Sequence, residues 1–252
     1  MTLNGKVAIV TGAAQGLGQA YAIAMAEAGA AITALDLTDC AETVAAVEAK
    51  GGKCIGRSVD ITDMDALTTV AAETKETFGG IDVLVNNAAL YGTLTGGRFN
   101  DLDPAEWDAC MNVNVKGMWQ CCKAAVPHML ERGGGSVINI ASLAATYGLP
   151  YALHYTTSKA AVIGMTRGLA RELGKAKVRV NAVAPSAVTT EGTRQFMGDK
   201  YDKALEVIAS GQSIPENLDT DDLVGTVIYL ASDASKFVTG QTISVDGGTV
   251  FL

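Results

Sequence analysis

Short apolar runs recur along the chain, each followed by a cluster of small or polar residues and then by a stretch with helical spacing. The runs are KVAIVT (6–11), AAITALD (30–36), KCIGRSVD (53–60), IDVLVNN (81–87), SVINIAS (136–142), VRVNAVAP (178–185) and QTISVDG (241–247). Between them, the spacing predicts helices near 16–29, 40–50, 63–78, 104–131, 153–174 and 219–231. Thr62 and Asp65 fit the start of the third helix as a capping box. Strands that alternate with helices imply a parallel sheet with crossovers on both faces. Near-continuous apolar strands agree, because such strands are buried on both sides. The pattern predicts one doubly wound α/β domain of about seven strands with helices on both faces. Residues 186–218 are rich in turn formers and fit neither a strand nor one clean helix, so they are read as an inserted lobe of the kind that serves as a lid.

Bulk composition narrows the classes of function. At 252 residues the chain suits a single α/β domain, and 48% hydrophobic with 18% charged residues suits a well-buried globule. The formal charge of −8, with no Lys/Arg cluster, argues against a nucleic-acid partner. Five cysteines without a CxxC motif read as reduced thiols in a cytoplasm, and two histidines are too few for a His-rich metal site. The opening MTLNGKVAIVTGAA is expected not to be a secretion signal. Residues 133–158 carry no charged side chain, yet Gly, Pro, Asn and Ser break the stretch, so no membrane span is expected.

The first strand runs into Gly12, Gln15, Gly16, Leu17 and Gly18, and then into a helix. GxxxGxG at this junction meets the needs of a phosphate cradle: a tight turn, close backbone approach and a helix N-terminus aimed at an anion. A plain β–α turn would meet only the first need. Asp36 closes the second strand, where a carboxylate accepts hydrogen bonds from adenosine ribose hydroxyls and repels a 2′-phosphate. With no Arg or Lys at Gln15 or Leu37, the pair of features points to NAD. Further on, HYTTSKAAV (154–162) sets Tyr155 and Lys159 one helical turn apart, either as a solvated face or as a proton-transfer pair.

With TGAAQGLG at 11–18, NNAA at 86–89, Ser142 and YTTSK at 155–159, the chain resembles the short-chain dehydrogenase/reductase family from Lys6 to the closing VTGQTISVDGG at 238–248. The resemblance implies a single-domain Rossmann-type fold and hydride transfer at the nicotinamide of NAD. It makes Tyr155 the general acid/base and Ser142 the holder of the substrate oxygen. Lys159 would lower the phenol pKa and bind the nicotinamide ribose, and Asn114 would bend its helix and organise a water path to Lys159. Cofactor contacts carry over to the glycine loop, to Asp60 and Ile61 near the adenine, to Asn87 and Ala88 beneath the cofactor, and to Pro185, Val188 and Thr190 near the carboxamide. The family pattern is broken at Ala89, where NNAG is usual, and at Ser186, where PG is usual.

The expected pocket rim, 89–97, 143–154 and 186–214, holds Leu90, Tyr91, Tyr147, Leu149, Tyr151, Phe196 and Met197 but little positive charge. Such lining suits a hydrophobic, aromatic or cyclic secondary alcohol or ketone. The competing readings are an NADPH-dependent 3-oxoacyl carrier-protein reductase, which Asp36 opposes, and a non-catalytic nucleotide sensor. The resemblance also implies a homotetramer, built partly on small residues of the helix near 153–174.

Overall fold

Val7–Thr11 is apolar and fully buried on both faces, as the middle strand of a covered sheet must be. The computed structural model describes residues 1–251. Seven parallel strands lie in the order β3-β2-β1-β4-β5-β6-β7. They are β1 (Val7–Thr11), β2 (Ala31–Asp36), β3 (Lys53–Ser58), β4 (Val83–Asn86), β5 (Gly135–Ile140), β6 (Val178–Pro185) and β7 (Thr242–Val245). All seven coincide with the apolar runs. Strand order reverses between β1 and β4, and the crevice beyond the carboxyl ends of these strands is where open α/β sheets bind ligands.

The helices are α1 (Gly16–Glu27), α2 (Ala41–Ala49), α3 (Met64–Phe78), α4 (Pro104–Met111), α5 (Met118–Glu131), α6 (Ala144–Tyr147), α7 (Leu153–Leu173), α8 (Glu191–Met197), α9 (Tyr201–Ser210) and α10 (Asp221–Ala231). One layer packs Tyr21 and Met25 of α1, Val47 of α2 and Leu223 and Val227 of α10 on the sheet. The opposite layer packs Leu67 and Val70 of α3, Cys121 and Met129 of α5 and Ala170 of α7. The Val, Leu and Met side chains among them each contribute roughly 1.5–3 kcal/mol when fully buried. Among the described residues, no helix is long and apolar enough to cross a membrane, and no cluster of His, Cys, Asp or Glu is placed to hold a metal.

Two local expectations are corrected, and a third gains detail. The cap of α3 is Asp63, which accepts from the N–H groups of Asp65 and Ala66, both at 3.0 Å; Thr62 instead bonds Asp60. The helix expected over 104–131 is interrupted by a π-helical turn at Asn112–Gly117. Gly117 makes this possible, since a Cβ there would sit 2.8 Å from Ile61 Cγ1. The lobe at 186–218 contains α8 and α9, and Val188 pairs with Leu218 to close it as a loop with joined ends.

Tyr21 on α1 is fully buried and its hydroxyl has no hydrogen-bond partner among the described residues. Burial alone pushes the phenol above its ordinary pKa. An orphaned polar atom of this kind costs about 1–3 kcal/mol, so Tyr21→Phe should stabilise the fold by about 1 kcal/mol. For a chain of this size that is a rise of about 2–4 °C in Tm with activity unchanged, read by a thermal melt.

Candidate active site

The glycine loop lies against the end of β4 by necessity. Gly12 has φ 65° and its missing Cβ would meet Ala88 Cα and Asn87 Nδ2 at 2.8 Å each. Asn87 Nδ2 donates to the carbonyls of Thr11 and Gly12, both at 3.0 Å, while its own N–H and that of Ala88 donate to Thr11 Oγ1. Gly18 is more constrained still, since a Cβ would lie 1.9 Å from the Gly12 carbonyl oxygen. Gln15 opens α1 in extended conformation with no side-chain cap, leaving its first N–H groups to the crevice. Leu17 packs on the core, and Thr190 faces Gly16, its Cβ 3.9 Å from where a Cβ would stand.

Asp36 sits at the edge of this crevice. Its carboxylate accepts from the N–H of Ala14 at 3.0 Å and from the N–H and hydroxyl of Thr38 at 3.0 and 3.1 Å. It is thereby fixed as an acceptor beside the glycine loop. Asp60 spends one oxygen on its own turn, accepting from Thr62 N–H and hydroxyl at 2.8 Å. Ile61 is buried against Gly117 and the α3–α5 layer. Pro185 ends β6, and Ser186 continues its path by donating to Val245 O at 3.1 Å. Val188 is buried in its bridge to Leu218, and Thr190 caps α8. Ala89 is exposed, so its methyl group is accommodated in solvent.

Ser142, Tyr155 and Lys159 meet beyond the carboxyl end of β5. Lys159 Nζ lies 5.6 Å from the Tyr155 ring centroid and donates to Ile140 O at 2.8 Å. Ser142 follows β5; its hydroxyl accepts from the Ala144 N–H at 3.1 Å and acts on the phenol to lower its pKa. Asn114 lies in the π-helical turn: Oδ1 accepts from Leu90 N at 2.7 Å, and Nδ2 donates to Leu90 O at 3.1 Å and to Ser158 Oγ at 3.1 Å. It clamps the loop after β4 to the helix that carries Tyr155 and Lys159.

A chain with this cleft and this set of residues can be set beside known proteins. The family model for enoyl-(acyl carrier protein) reductase matches residues 12–250. The 3-oxoacyl-(acyl-carrier-protein) reductase of Thermotoga maritima is 38% identical, covering 99% of this chain and 100% of that protein. The 2-dehydro-3-deoxy-D-gluconate 5-dehydrogenase of Escherichia coli K12 is also 38% identical, covering 98% and 96%. Carveol dehydrogenase from Mycobacterium avium, solved in complex with NAD, superposes with a TM-score of 0.91 at 32% identity, covering 98% of both chains.

The chain belongs to the short-chain dehydrogenase/reductase family.

Within this short-chain dehydrogenase/reductase, burial dominates the electrostatics of Tyr155 and Lys159 when no cofactor is bound. It lifts the phenol above its ordinary value, with Tyr91 adding to the rise and the Ser142 hydrogen bond opposing it. It also pulls Lys159 down to about 8, an effect that Cys110 partly offsets. Desolvation penalises either charge, so the cofactor-free pair favours two neutral groups.

The Lys159 shift has a stability consequence. The unfolded ammonium keeps its proton to about 10.5 while the folded one loses it near 8, so stability rises with pH between those values. Buried thiols such as Cys40 and Cys54, both raised to about 11, act oppositely above their unfolded value of 9.0. Comparison with Lys159→Met cancels the thiols: wild-type Tm minus variant Tm should increase across pH 8–10.5. A difference constant with pH in paired melts would contradict the shift.

Tyr91 and Phe196, expected on the pocket rim, meet the phenol itself, whereas Cys110 was not anticipated from the sequence. Tyr91 stacks on Tyr155 with ring centroids 4.9 Å apart and on Phe196 of α8 at 4.7 Å, joining the lobe to the phenol. Burial raises the Tyr91 pKa to about 12. Cys110 is fully buried beside Asn114. A cavity of about 700 Å³ lies between Arg98–Asn100 and Gly148–Tyr151, with Leu153 and Thr156 of α7 on its wall. Ser142 and Tyr155 do not line it; the Tyr91 ring lies against Tyr155 instead. His154, in the first turn of α7, is wholly buried against Glu106 of α4.

Proposed function

We propose that this chain is an NAD(H)-dependent dehydrogenase that interconverts a hydrophobic secondary alcohol, aromatic or cyclic, with its ketone. The observation that carries the reading is the meeting of Ser142, Tyr155 and Lys159 at the end of β5, beside the glycine-loop crevice between β1 and β4. The residues present fit a dinucleotide. The uncapped start of α1 suits a pyrophosphate, and the fixed acceptor Asp36 suits ribose hydroxyls and opposes a 2′-phosphate. Carveol dehydrogenase and other similar structures carry NAD, which supports the same cofactor here.

When bound, the nicotinamide supplies hydride acceptance and donation. The remaining work falls to the chain. Tyr155 takes the alcohol proton during oxidation and returns one to the carbonyl oxygen during reduction, the Ser142 hydroxyl holds that oxygen, and Lys159 stabilises the phenolate. Asn114 holds the β4 loop against this group. Because burial raises the phenol, alcohol oxidation should accelerate with rising pH.

Tyr91, Phe196 and Leu149 pack in the cluster around Tyr155 and give the substrate side an aromatic and apolar character. This favours a cyclic or aromatic substrate over a sugar acid. The similarity to a 3-oxoacyl reductase supports a second reading, NADPH-dependent reduction of a 3-oxoacyl thioester. A panel of cyclic, aromatic and aliphatic alcohols with NAD and NADP, run beside a 3-oxoacyl thioester with NADPH, decides. NAD reduction by ring-bearing secondary alcohols is expected. Preference for NADPH and the thioester would replace the first reading with the second.

The free, buried state of all five cysteines fits a reducing cytoplasm. On α7, Ala160, Gly164 and Gly168 are exposed, and a Cβ on either glycine would meet nothing within 4 Å. We read this face as one interface of a homotetramer, to be checked by light scattering, where a stable monomer would remove the proposal.

A further inference from the structure

The first turn of α7 must find partners for N–H groups that no preceding turn supplies. Its cap residue, Ala152, has no side-chain acceptor. Tyr155 N–H donates instead to Nδ1 of His154 at 2.8 Å. A backbone N–H only donates, so Nδ1 carries no proton and the neutral ring bears its proton on Nε2. That nitrogen lies 3.3 Å from Glu106 Oε2 on α4, and the histidine is wholly buried. The other carboxylate oxygen, Oε1, accepts from Thr95 N at 2.8 Å in the loop that carries Tyr91.

We propose that Glu106 and His154 are positioning residues for the proton-exchanging tyrosine: the carboxylate fixes the histidine tautomer, and the tautomer fixes the backbone of Tyr155. The proposal rests on the function assigned to Tyr155 above. With both ring nitrogens engaged, His154 touches no substrate. A second consequence concerns the pocket. One carboxylate holds both the start of α7 and the 88–97 loop, so the phenol and the Tyr91 ring that covers it are referred to the same anchor.

Glu106→Gln tests this at constant size. A carboxylate accepts at both oxygens, whereas the amide accepts at one and donates at the other. If its oxygen faces Thr95, its NH2 meets Nε2–H, and the ring answers by moving its proton to Nδ1, opposite the Tyr155 N–H. If the amide turns over, it meets the Thr95 N–H instead. Either way one link is lost. The expected result is a fall in kcat of about 10-fold or more with NADH affinity unchanged, since misplacement rather than lost binding is at work.

Two histidine variants separate positioning from bulk structure. Asn at 154 places an oxygen where Nδ1 stands and needs no tautomer; Gln places its polar end toward Glu106 and vacates the Nδ1 position. His154→Asn should therefore keep kcat within about 3-fold, and His154→Gln should lose about 10-fold. In the His154→Asn background, Glu106→Gln should cost little further, because no tautomer remains for the carboxylate to fix. Equal kcat for the two histidine variants, or a full additive loss in the double variant, would overturn the proposal. Tyr155→Phe is the control: if that variant turns over normally, the assigned function has failed, whereas an inactive Tyr155→Phe beside an unaffected Glu106→Gln removes the positioning role alone.

Discussion

Replacing Tyr155 with Phe is expected to reduce turnover by about 10³-fold or more while NADH still binds. Under the proposed function the phenol is the group that gives and takes the substrate's proton, and positioned proton transfer contributes roughly 10²–10⁴-fold to a rate. Lys159 cannot substitute, because its Nζ is held on Ile140 O at 2.8 Å, 5.6 Å from the centroid of the Tyr155 ring. Ser142 cannot either, since a neutral hydroxyl is a poor base. The ring that Phe retains still packs on Tyr91, with ring centroids 4.9 Å apart. Fold and cofactor affinity should thus survive, as fluorescence titration of NADH and a thermal melt would show. A variant with near-normal turnover would rule out the proton-exchange role.

Gly18→Ala should have the second largest effect, on cofactor binding and stability together. Two terms of opposite sign compete. Alanine gains up to about 1 kcal/mol over glycine inside a helix. Against this, its Cβ would lie 1.9 Å from Gly12 O and 2.7 Å from Asn87 Nδ2. No rotamer relieves a clash with backbone, so the loop itself must move. Overpacking typically costs 1–3 kcal/mol, occasionally more, and here it also breaks the bond from Asn87 to Gly12 O that shapes the loop. The steric term wins. NADH affinity should fall by about 100-fold and Tm should drop by several degrees, about 2–4 °C per kcal/mol. Unchanged affinity would mean that the glycine loop does not shape the cofactor site.

The strands were legible because each is a short apolar run between turn formers, a local property that a parallel sheet does not alter. Tyr155 and Lys159 were legible because their meeting depends only on helical spacing. What escaped depends on contacts distant in sequence. The π-helical turn at 112–117 leaves apolar spacing intact and follows from Gly117 resting on Ile61. The helices α8 and α9 were hidden by Gly192, Gly198 and Gly211, which punctuate the lobe with turn residues. Glu106 and His154 are 48 residues apart, and only packing of α4 on the start of α7 brings them together. Burial at the site escaped for the same reason: one helical turn predicts that a lysine and a phenol are neighbours, but not that both are dry.

The central claim is that Tyr155 exchanges a proton while hydride moves, with Lys159 beside it. Single-turnover NAD reduction by a ring-bearing secondary alcohol, followed across pH in wild type and Tyr155→Phe, tests it most directly. The account predicts a wild-type rate that climbs with pH as one proton leaves the phenol, and a residual variant rate that is low and without that rise. The same pH profile in both proteins would contradict it.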